Sequence, residues 1–206
     1  MPFYIKLLDR RLSALAILHF FLGIIISSRK DVATFWGLAI FFYGFLHIIR
    51  YSNRNDEASI FASYLVGMEV ALRVVGASVI WEYGKYSTVF LLVTGMVIEN
   101  LKFLRINALS LIYFACLLPA IGIMPEVPTS ALRRMISGNL SGPLCLFISF
   151  LYFRNRNFSP NNICNVFKCL SFPIISLIGL IFVRAPSIDN ISFSSEANFQ
   201  LSAGFG

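Results

Sequence analysis

Two oppositely charged residues lie inside a stretch that is otherwise almost continuously apolar. Glu69 and Arg73 interrupt the run from Ala58 to Trp81, and their spacing places both on one face of a helix, with the acid before the base. A charge at membrane depth is costly, so such residues tend to face the interior of a helix bundle and to mark function. Two interpretations stay open. The pair either fastens this helix to its neighbours or forms an anion site, in which Arg73 binds phosphate or carboxylate and Glu69 holds its side chain.

The depth of this pair follows from the predicted length of its helix. If the helix runs to Trp81, a rise of about 1.5 Å per residue places Arg73 about 12 Å and Glu69 about 18 Å inside the outer end. Two glycines in the same stretch, Gly67 and Gly76, are predicted to allow other helices to approach closely.

A second pair of opposite charges follows directly after this stretch. Glu82 and Lys85 are three residues apart, and Tyr86 comes next. Aromatic residues are common at both membrane interfaces. The segment is therefore either a solvated helix end or, together with Arg73, a mixed-charge mouth on the outer face.

Further along the chain, turn-forming residues precede an apolar run. Asn139 is followed by Leu-Ser and then by Gly142 and Pro143. This pattern predicts either a plain turn or the start of a helix whose free N–H groups could hold an anion. Arg184 ends the last apolar run, where a cation that snorkels to the interface is the default interpretation.

Motifs of soluble enzymes are absent from the sequence. It contains no Ser-His-Asp set, no HExxH and no Walker-type loop. His19 and His47 lie in the first two apolar runs and are predicted to be helix contacts. Cys164 and Cys169 are predicted to share a short loop, and no His or further Cys completes a set of metal ligands. We therefore expect no metal, no cofactor and no disulfide framework.

Composition places the chain in the membrane. Of its 206 residues 57% are hydrophobic and 13% are charged, against about 45–50% apolar and about 25% charged in soluble domains. The net charge of +7 would suit nucleic acid, but the basic residues fall in short loops between apolar runs. That placement favours membrane orientation and contact with anionic lipids instead.

We therefore predict an all-α, polytopic transmembrane bundle of about seven spans over residues 1–184. The predicted spans are 12–28, 32–49, 58–81, 86–98, 108–124, 140–153 and 170–183. Most of the 17 Lys and Arg residues fall on the inside when the N-terminus is inside. Residues 185–206 are polar and are predicted to form the start of a periplasmic loop.

Three stretches are similar to one family. The sequences SYLVGMEVALRVVGASVIWEYGKY, NLSGPL and FSSEANFQLSAGFG resemble the O-antigen ligase and polymerase-like membrane proteins of bacteria. The resemblance implies a protein of the bacterial cytoplasmic membrane that acts on undecaprenyl-diphosphate-linked glycans without an obligatory metal. Proteins of this family are typically longer, so the resemblance implies that the chain corresponds to their N-terminal portion.

The resemblance also implies roles for the charged residues. A departing diphosphate needs cationic stabilisation in a partly dry site, and Arg73 is the first candidate, with Glu69 orienting it. The weaker candidates at the outer rim are Lys85 and Arg184, and the mouth and support residues are Glu82, Tyr86, Gly142 and Pro143. The later periplasmic Arg and His residues of the family have no counterpart here, so we expect residues 1–206 alone to lack glycosyl transfer.

Two other functions fit the same residues. A transporter of an anionic solute could use an intramembrane Glu–Arg pair equally well, although the sequence lacks the two related halves with broken helices that are common in transporters. In a structural membrane subunit, the pair would be only a fastening between helices.

Overall fold

The computed structural model describes residues 2–80, 82–101, 108–117, 129–154 and 156–188. These residues form seven helices, and no strand occurs among them. The helices are α1 (Pro2–Ser28), α2 (Lys30–Tyr51), α3 (Glu57–Val75), α4 (Tyr83–Ile98), α5 (Ala108–Leu117), α6 (Thr129–Phe153) and α7 (Pro160–Ile188). Most of the segment predicted as a periplasmic loop, and residues 118–124 of the predicted fifth span, lie outside the described residues.

Four of these helices are long and apolar enough to cross a membrane. They provide the stretches Arg11–Ser28, Lys30–Tyr51, Glu57–Val75 and Pro160–Arg184. Two shorter apolar stretches, Tyr83–Ile98 and Leu140–Phe153, belong to α4 and α6. The prediction of an all-helical chain with membrane-spanning helices is confirmed at this level.

The end of α3 differs from the prediction. The helix stops at Val75 instead of continuing to Trp81, because Gly76 adopts a left-handed conformation with φ of 69°. The Ala77 N–H then bonds to the Leu72 carbonyl at 2.9 Å, and the Gly76 N–H bonds to the Arg73 carbonyl at 3.0 Å. These two bonds form a Schellman cap, which terminates a helix.

The two glycines of this stretch have different roles. A Cβ at Gly67 would lie 2.6 Å from the carbonyl oxygen of Leu170 on α7, whereas nothing lies within 4 Å of a Cβ at Gly76. The predicted close helix approach is therefore confirmed at Gly67 and wrong at Gly76, which serves the turn instead.

The last helix starts earlier than predicted, at Pro160 instead of residue 170. The Ser159 hydroxyl accepts a hydrogen bond from the Asn162 N–H at 3.1 Å, and a proline at the first helical position suits such an N-cap. Consequently Cys164 and Cys169 lie within α7, and the prediction that they share a loop is wrong.

The chain divides into two compact units. The first comprises Met1–Ile40, Ser63–Val79 and Asn165–Gly206, and the second comprises Phe41–Ala62 and Ile80–Cys164. The helices α2, α3 and α7 contribute residues to both units.

A chain of polar side chains lies in the core of the first unit. The Trp36 indole N–H donates to the Tyr64 hydroxyl at 3.0 Å, and this hydroxyl lies 2.7 Å from Nε2 of His19. Nδ1 of His19 lies 2.8 Å from the Leu15 carbonyl, which only accepts, so Nδ1 carries the proton and Nε2 accepts from Tyr64. His19 also stacks on Phe172. Because it contacts α3 and α7, the prediction that His19 is a helix contact is confirmed.

Small residues bring α1 and α7 together in the same unit. A Cβ on Gly23 would collide with the backbone of Ser176, and a Cβ on Gly179 would collide with the backbone of Phe20. Two reciprocal glycines therefore allow the backbones of α1 and α7 to touch, as small residues do between membrane helices.

In the second unit α4 packs along α6, and α5 also contacts α6. Leu91, Leu92 and Met96 of α4 are buried, as is Tyr152 near the end of α6. His47 contacts Phe61 of α3, with ring centroids 5.3 Å apart, so it is also a helix contact, as predicted. The second unit therefore has its own apolar core, and charged residues lie at the ends of its helices.

Candidate functional site

Glu69 and Arg73 form the predicted ion pair, but at a different depth. The Arg73 guanidinium bonds to the Glu69 carboxylate, and the two side chains are 25% and 17% exposed, respectively. Because α3 ends at Val75, Arg73 lies about 3 Å and Glu69 about 9 Å from the end of the helix. The predicted distances of about 12 Å and 18 Å from the outer end are therefore wrong, since Gly76 ends the helix early.

Arg184 binds the end of the same helix. Its NH1 donates to the Val74 carbonyl at 2.7 Å, and its NH2 donates to the Ser27 carbonyl at 3.1 Å. Both carbonyls belong to the last turns of their helices, where no N–H within the helix can reach them. Arg184 therefore caps α3 and α1 together, and its positive charge suits the negative ends of both helix dipoles.

Two arginines thus lie at the end of α3. Arg73 belongs to the last turn of α3, and Arg184 is bonded to the carbonyl of the next residue, Val74. The Ser78 N–H donates to the Thr34 hydroxyl at 2.9 Å, which holds the segment after α3 against α2. The structure therefore places two of the predicted anion-binding residues at the same helix end, where Arg184 is fixed by its bonds to helix carbonyls.

The pair Glu82–Lys85 is confirmed in the second unit. The Lys85 ammonium bonds to the Glu82 carboxylate, and their side chains are 32% and 6% exposed. Glu82 precedes the first residue of α4 with a φ of 62°, and the Tyr86 N–H bonds to the Glu82 carbonyl at 3.1 Å. Glu82 is thus a buried residue at a helix start, while Lys85 keeps partial access to solvent. A mouth shared with Arg73 stays a prediction.

No helix begins at Gly142 and Pro143. Both residues lie inside α6, which starts at Thr129 and continues to Phe153. The predicted turn or helix start at this point is wrong, because the preceding residues extend the helix through the proline. Pro143 lacks an N–H and leaves one backbone carbonyl without its usual partner, but it exposes no helix N-terminus to an anion.

A third charged group, at the end of the second unit, was missed in the sequence. Arg156 follows α6, and its NH1 donates to Asp56 at 3.0 Å and to Glu99 at 2.9 Å. Its NH2 bonds to the other oxygen of Glu99. The Arg156 side chain is 4% exposed, that of Asp56 is 16% and that of Glu99 is 12%. A buried guanidinium thus joins the turn before α3, the end of α4 and the segment after α6.

Amide and aromatic side chains complete this group. The Asn53 amide donates to Glu99 at 2.7 Å and to the Tyr152 hydroxyl at 3.1 Å, and its oxygen accepts the Ala58 N–H at 2.8 Å. The Arg156 guanidinium lies 3.8 Å from the centre of the Tyr152 ring, which adds a cation–π contact. We call Asn53, Asp56, Glu99, Tyr152 and Arg156 the Arg156 cluster.

The surroundings of Arg156 stabilise its positive charge. Burial by itself would lower the pKa of its guanidinium, but the hydrogen bonds and charge of Glu99, together with Tyr152 and Asp56, raise the pKa above its ordinary value. Arg156 therefore stays protonated throughout the physiological range.

An open cleft of about 450 Å³ lies beside the Arg156 cluster. Asp56, Glu99 and Arg156 line it together with more exposed residues of the same turns, among them Ser52, Arg54, Asn100 and Asn157. Several of these turn residues have a left-handed backbone, including Ser52, Asn53, Asp56 and Asn100. Asn and Asp tolerate this conformation better than other non-glycine residues.

From its position in the sequence, Arg156 is predicted only to be one of the positive charges on the inside. The available signal was the repeated pairing of asparagine with charge in three loops, SNRNDE, IENL and FRNRN. Asparagine often occupies the left-handed position that follows a helix. A carboxylate at the end of an apolar helix needs a partner for its charge. Asp56, Glu99 and Arg156 belong to three different loops. The sequence does not show that these loops meet in space.

Comparison with protein-family models, with curated proteins and with solved structures gave no match for this chain. The function therefore has to be inferred from the residues and their geometry. Within the described residues, no group of three or more His, Cys, Asp or Glu side chains is placed to hold a metal ion.

Proposed function

We propose that this chain is the N-terminal part of an O-antigen ligase or polymerase-like protein, which handles undecaprenyl-diphosphate-linked glycans in the bacterial cytoplasmic membrane. The proposal includes about seven spans with the N-terminus inside, so that the end of α3 faces the periplasm. It is supported by the sequence stretches that resemble this family and by one structural observation, the position of both Arg73 and Arg184 at the end of α3.

Two guanidinium groups at one helix end suit a diphosphate. Arg73 bonds to Glu69, and Arg184 bonds to the ends of two helices, so both guanidiniums are held at this position. Glu69 restricts the Arg73 side chain, so less conformational freedom is lost when a phosphate binds. In the proposed role both arginines offset the negative charge that builds up on the diphosphate as the glycan leaves.

The test is charge-neutral substitution in the cell that encodes the protein. We expect Arg73→Gln and Glu69→Gln to abolish surface glycan, measured on gels, while the amount of protein in the membrane fraction stays as in the wild type. Arg29→Gln is the matched control, because Arg29 is an exposed arginine in the same unit. Normal glycan in the Arg73→Gln strain would refute the proposal.

A structural membrane subunit is the second candidate, and a specific observation favours it. Arg184 bonds to the ends of two helices, as expected for a residue that only fastens helices. On this alternative, Arg73→Gln and Arg184→Gln would lower the amount of protein in the membrane, and glycan would fall only in proportion.

A further inference from the structure

The cleft beside the Arg156 cluster has a volume typical of a ligand site. Its volume of about 450 Å³ lies within the range of about 300–1,000 Å³ that is usual for small-molecule pockets. Its walls come from the turn between α2 and α3, the C-terminal end of α4 and the segment after α6. All of these belong to the second unit.

The charges that line the cleft balance. Arg54 and Arg156 are cationic, and Asp56 and Glu99 are anionic. A simple anion would meet two carboxylates in this cleft, and a simple cation would meet two guanidiniums. A ligand that carries one charge of each sign matches the lining better than either.

The side of the cleft around Arg54 has hydrogen-bond donors that no described residue uses. Arg54 is exposed, and its side chain has no hydrogen bond or ion pair with any residue in the described part of the chain. Ser52, Asn100 and Asn157 are exposed beside it, and their side chains likewise bond to none of the described residues. A guanidinium with nearby hydroxyl and amide donors is a suitable partner for a phosphate group.

The anionic side has spare acceptors. Asp56 accepts one hydrogen bond on each oxygen, from Arg156 and from Asn162, whereas a carboxylate offers about four lone-pair sites. Its side chain is 16% exposed, and that of Glu99 is 12% exposed. A primary ammonium with three N–H donors can therefore bond to these carboxylates without displacing Arg156.

Exposed apolar side chains continue from the same helix ends. Ile49 is exposed near the end of α2, Val97 and Leu101 at the end of α4, and Phe153 at the end of α6. On helices of a membrane protein such side chains contact acyl chains. A ligand with a polar head and apolar chains would match both the cleft and its surroundings.

We propose that the cleft binds the headgroup of phosphatidylethanolamine, a phospholipid with one phosphate and one primary ammonium. The phosphate lies on Arg54 and the neighbouring hydroxyl and amide donors. The ammonium lies on Asp56 and Glu99, and the acyl chains run along the exposed apolar residues. This lipid site is separate from the arginines at the end of α3 and does not depend on the function proposed for them.

The experiment compares lipids on the purified full chain. Binding is measured by native mass spectrometry and by the shift of the thermal midpoint in mixed micelles with phosphatidylethanolamine, phosphatidylcholine or phosphatidylglycerol. Phosphatidylcholine has a quaternary ammonium without N–H donors, and phosphatidylglycerol lacks the ammonium. We expect phosphatidylethanolamine to bind about tenfold more tightly than either, because a hydrogen bond to a charged group has about this effect on affinity.

Two variants locate the site. Arg54→Gln should remove most of the preference for phosphatidylethanolamine, and it should fold, since the Arg54 side chain is exposed. Arg50→Gln is the matched control, because Arg50 is an exposed arginine one turn earlier that does not line the cleft; it should keep the preference. The thermal midpoint of each variant in phosphatidylcholine shows separately whether its fold is intact.

Several results would overturn the proposal. Equal binding of the three lipids would exclude a zwitterion site, and a preference for phosphatidylglycerol would indicate a plain anion site. Equal losses in Arg54→Gln and Arg50→Gln would show that surface charge acts without the cleft. If soluble phosphoethanolamine raises the thermal midpoint as much as the lipid does, the acyl chains have no role in binding. That result would exclude a lipid as the ligand.

Discussion

Arg156 reaches Glu99, 57 residues earlier in the chain, with two of its nitrogens. The same guanidinium also bonds to Asp56, so one side chain fixes the positions of two loops relative to the end of α6. Both carboxylates are mostly buried, and each guanidinium bond is therefore only weakly screened by solvent. The Arg156 cluster is thus the main polar contact between the loops of the second unit.

Removing one partner of this cluster should strongly destabilise the chain. Arg156→Gln leaves Asp56 and Glu99 buried without a counter-charge, and breaking a buried pair in this way costs about 3–5 kcal/mol. The free energy of unfolding of the purified chain in detergent measures the effect. Arg154→Gln is the control, since Arg154 is exposed and should change the stability by less than about 0.5 kcal/mol. Similar losses in both variants would contradict a structural role specific to Arg156.

Gly76 should be replaceable only by residues that accept a left-handed backbone. Its φ is 69°, and a Cβ would meet no other atom within 4 Å, so any cost is conformational and not steric. We expect Gly76→Ala to cost about 1–2 kcal/mol and Gly76→Asn to cost clearly less, since asparagine visits this region readily. The measurement is the thermal unfolding midpoint of the two variants. Equal midpoints would show that the left-handed conformation at Gly76 does not contribute to the difference in stability.

The helix content followed from composition, but the helix ends did not. Apolar runs predicted where α1 to α4 lie, because a membrane helix needs about 20 apolar residues. The end of α3 was missed because Ala77, Val79 and Ile80 continue the apolar pattern beyond Gly76. A glycine within an apolar run either packs against a neighbouring helix or caps its own helix. Only its φ angle and its surroundings in the structure distinguish these two roles.

The candidate site was predicted in part. Glu69 with Arg73 and Glu82 with Lys85 are pairs within one helical turn, and local spacing is enough to find them. Arg184 and Arg156 act over long separations, on Val74 and Ser27 in one case and on Asp56 and Glu99 in the other. Such contacts depend on which loops meet, and that information is not contained in periodicity or composition.

Close packing of α1 on α7 should depend on two glycines. A methyl group at Gly23 or at Gly179 would collide with backbone atoms of the partner helix, which cannot move aside as a side chain can. Gly23→Ala and Gly179→Ala are each expected to cost about 1–3 kcal/mol by overpacking. Ser171→Ala is the matched control, since Ser171 is an exposed residue of α7. The thermal midpoint in detergent is the measurement, and unchanged midpoints for both glycine variants would rule out the close contact.

Arg184 offers a prediction that separates its structural role from its proposed functional role. Arg184→Gln removes the cationic cap from the Val74 and Ser27 carbonyls, and each hydrogen bond to a charged group is worth about 1.5–3 kcal/mol. Because one of the two bonds is exposed to solvent, which weakens it, we expect a loss of only about 2 kcal/mol in the free energy of unfolding. Arg184→Lys should lie in between, because an ammonium retains the charge but not the fork. Arg73→Gln breaks an ion pair within one helix and should cost less than about 1 kcal/mol. If Arg73→Gln abolishes surface glycan at this small cost in stability, its effect cannot be attributed to unfolding. If instead Arg73→Gln destabilises the chain as much as Arg184→Gln does, the end of α3 is a fastening and the proposed diphosphate contact loses its support.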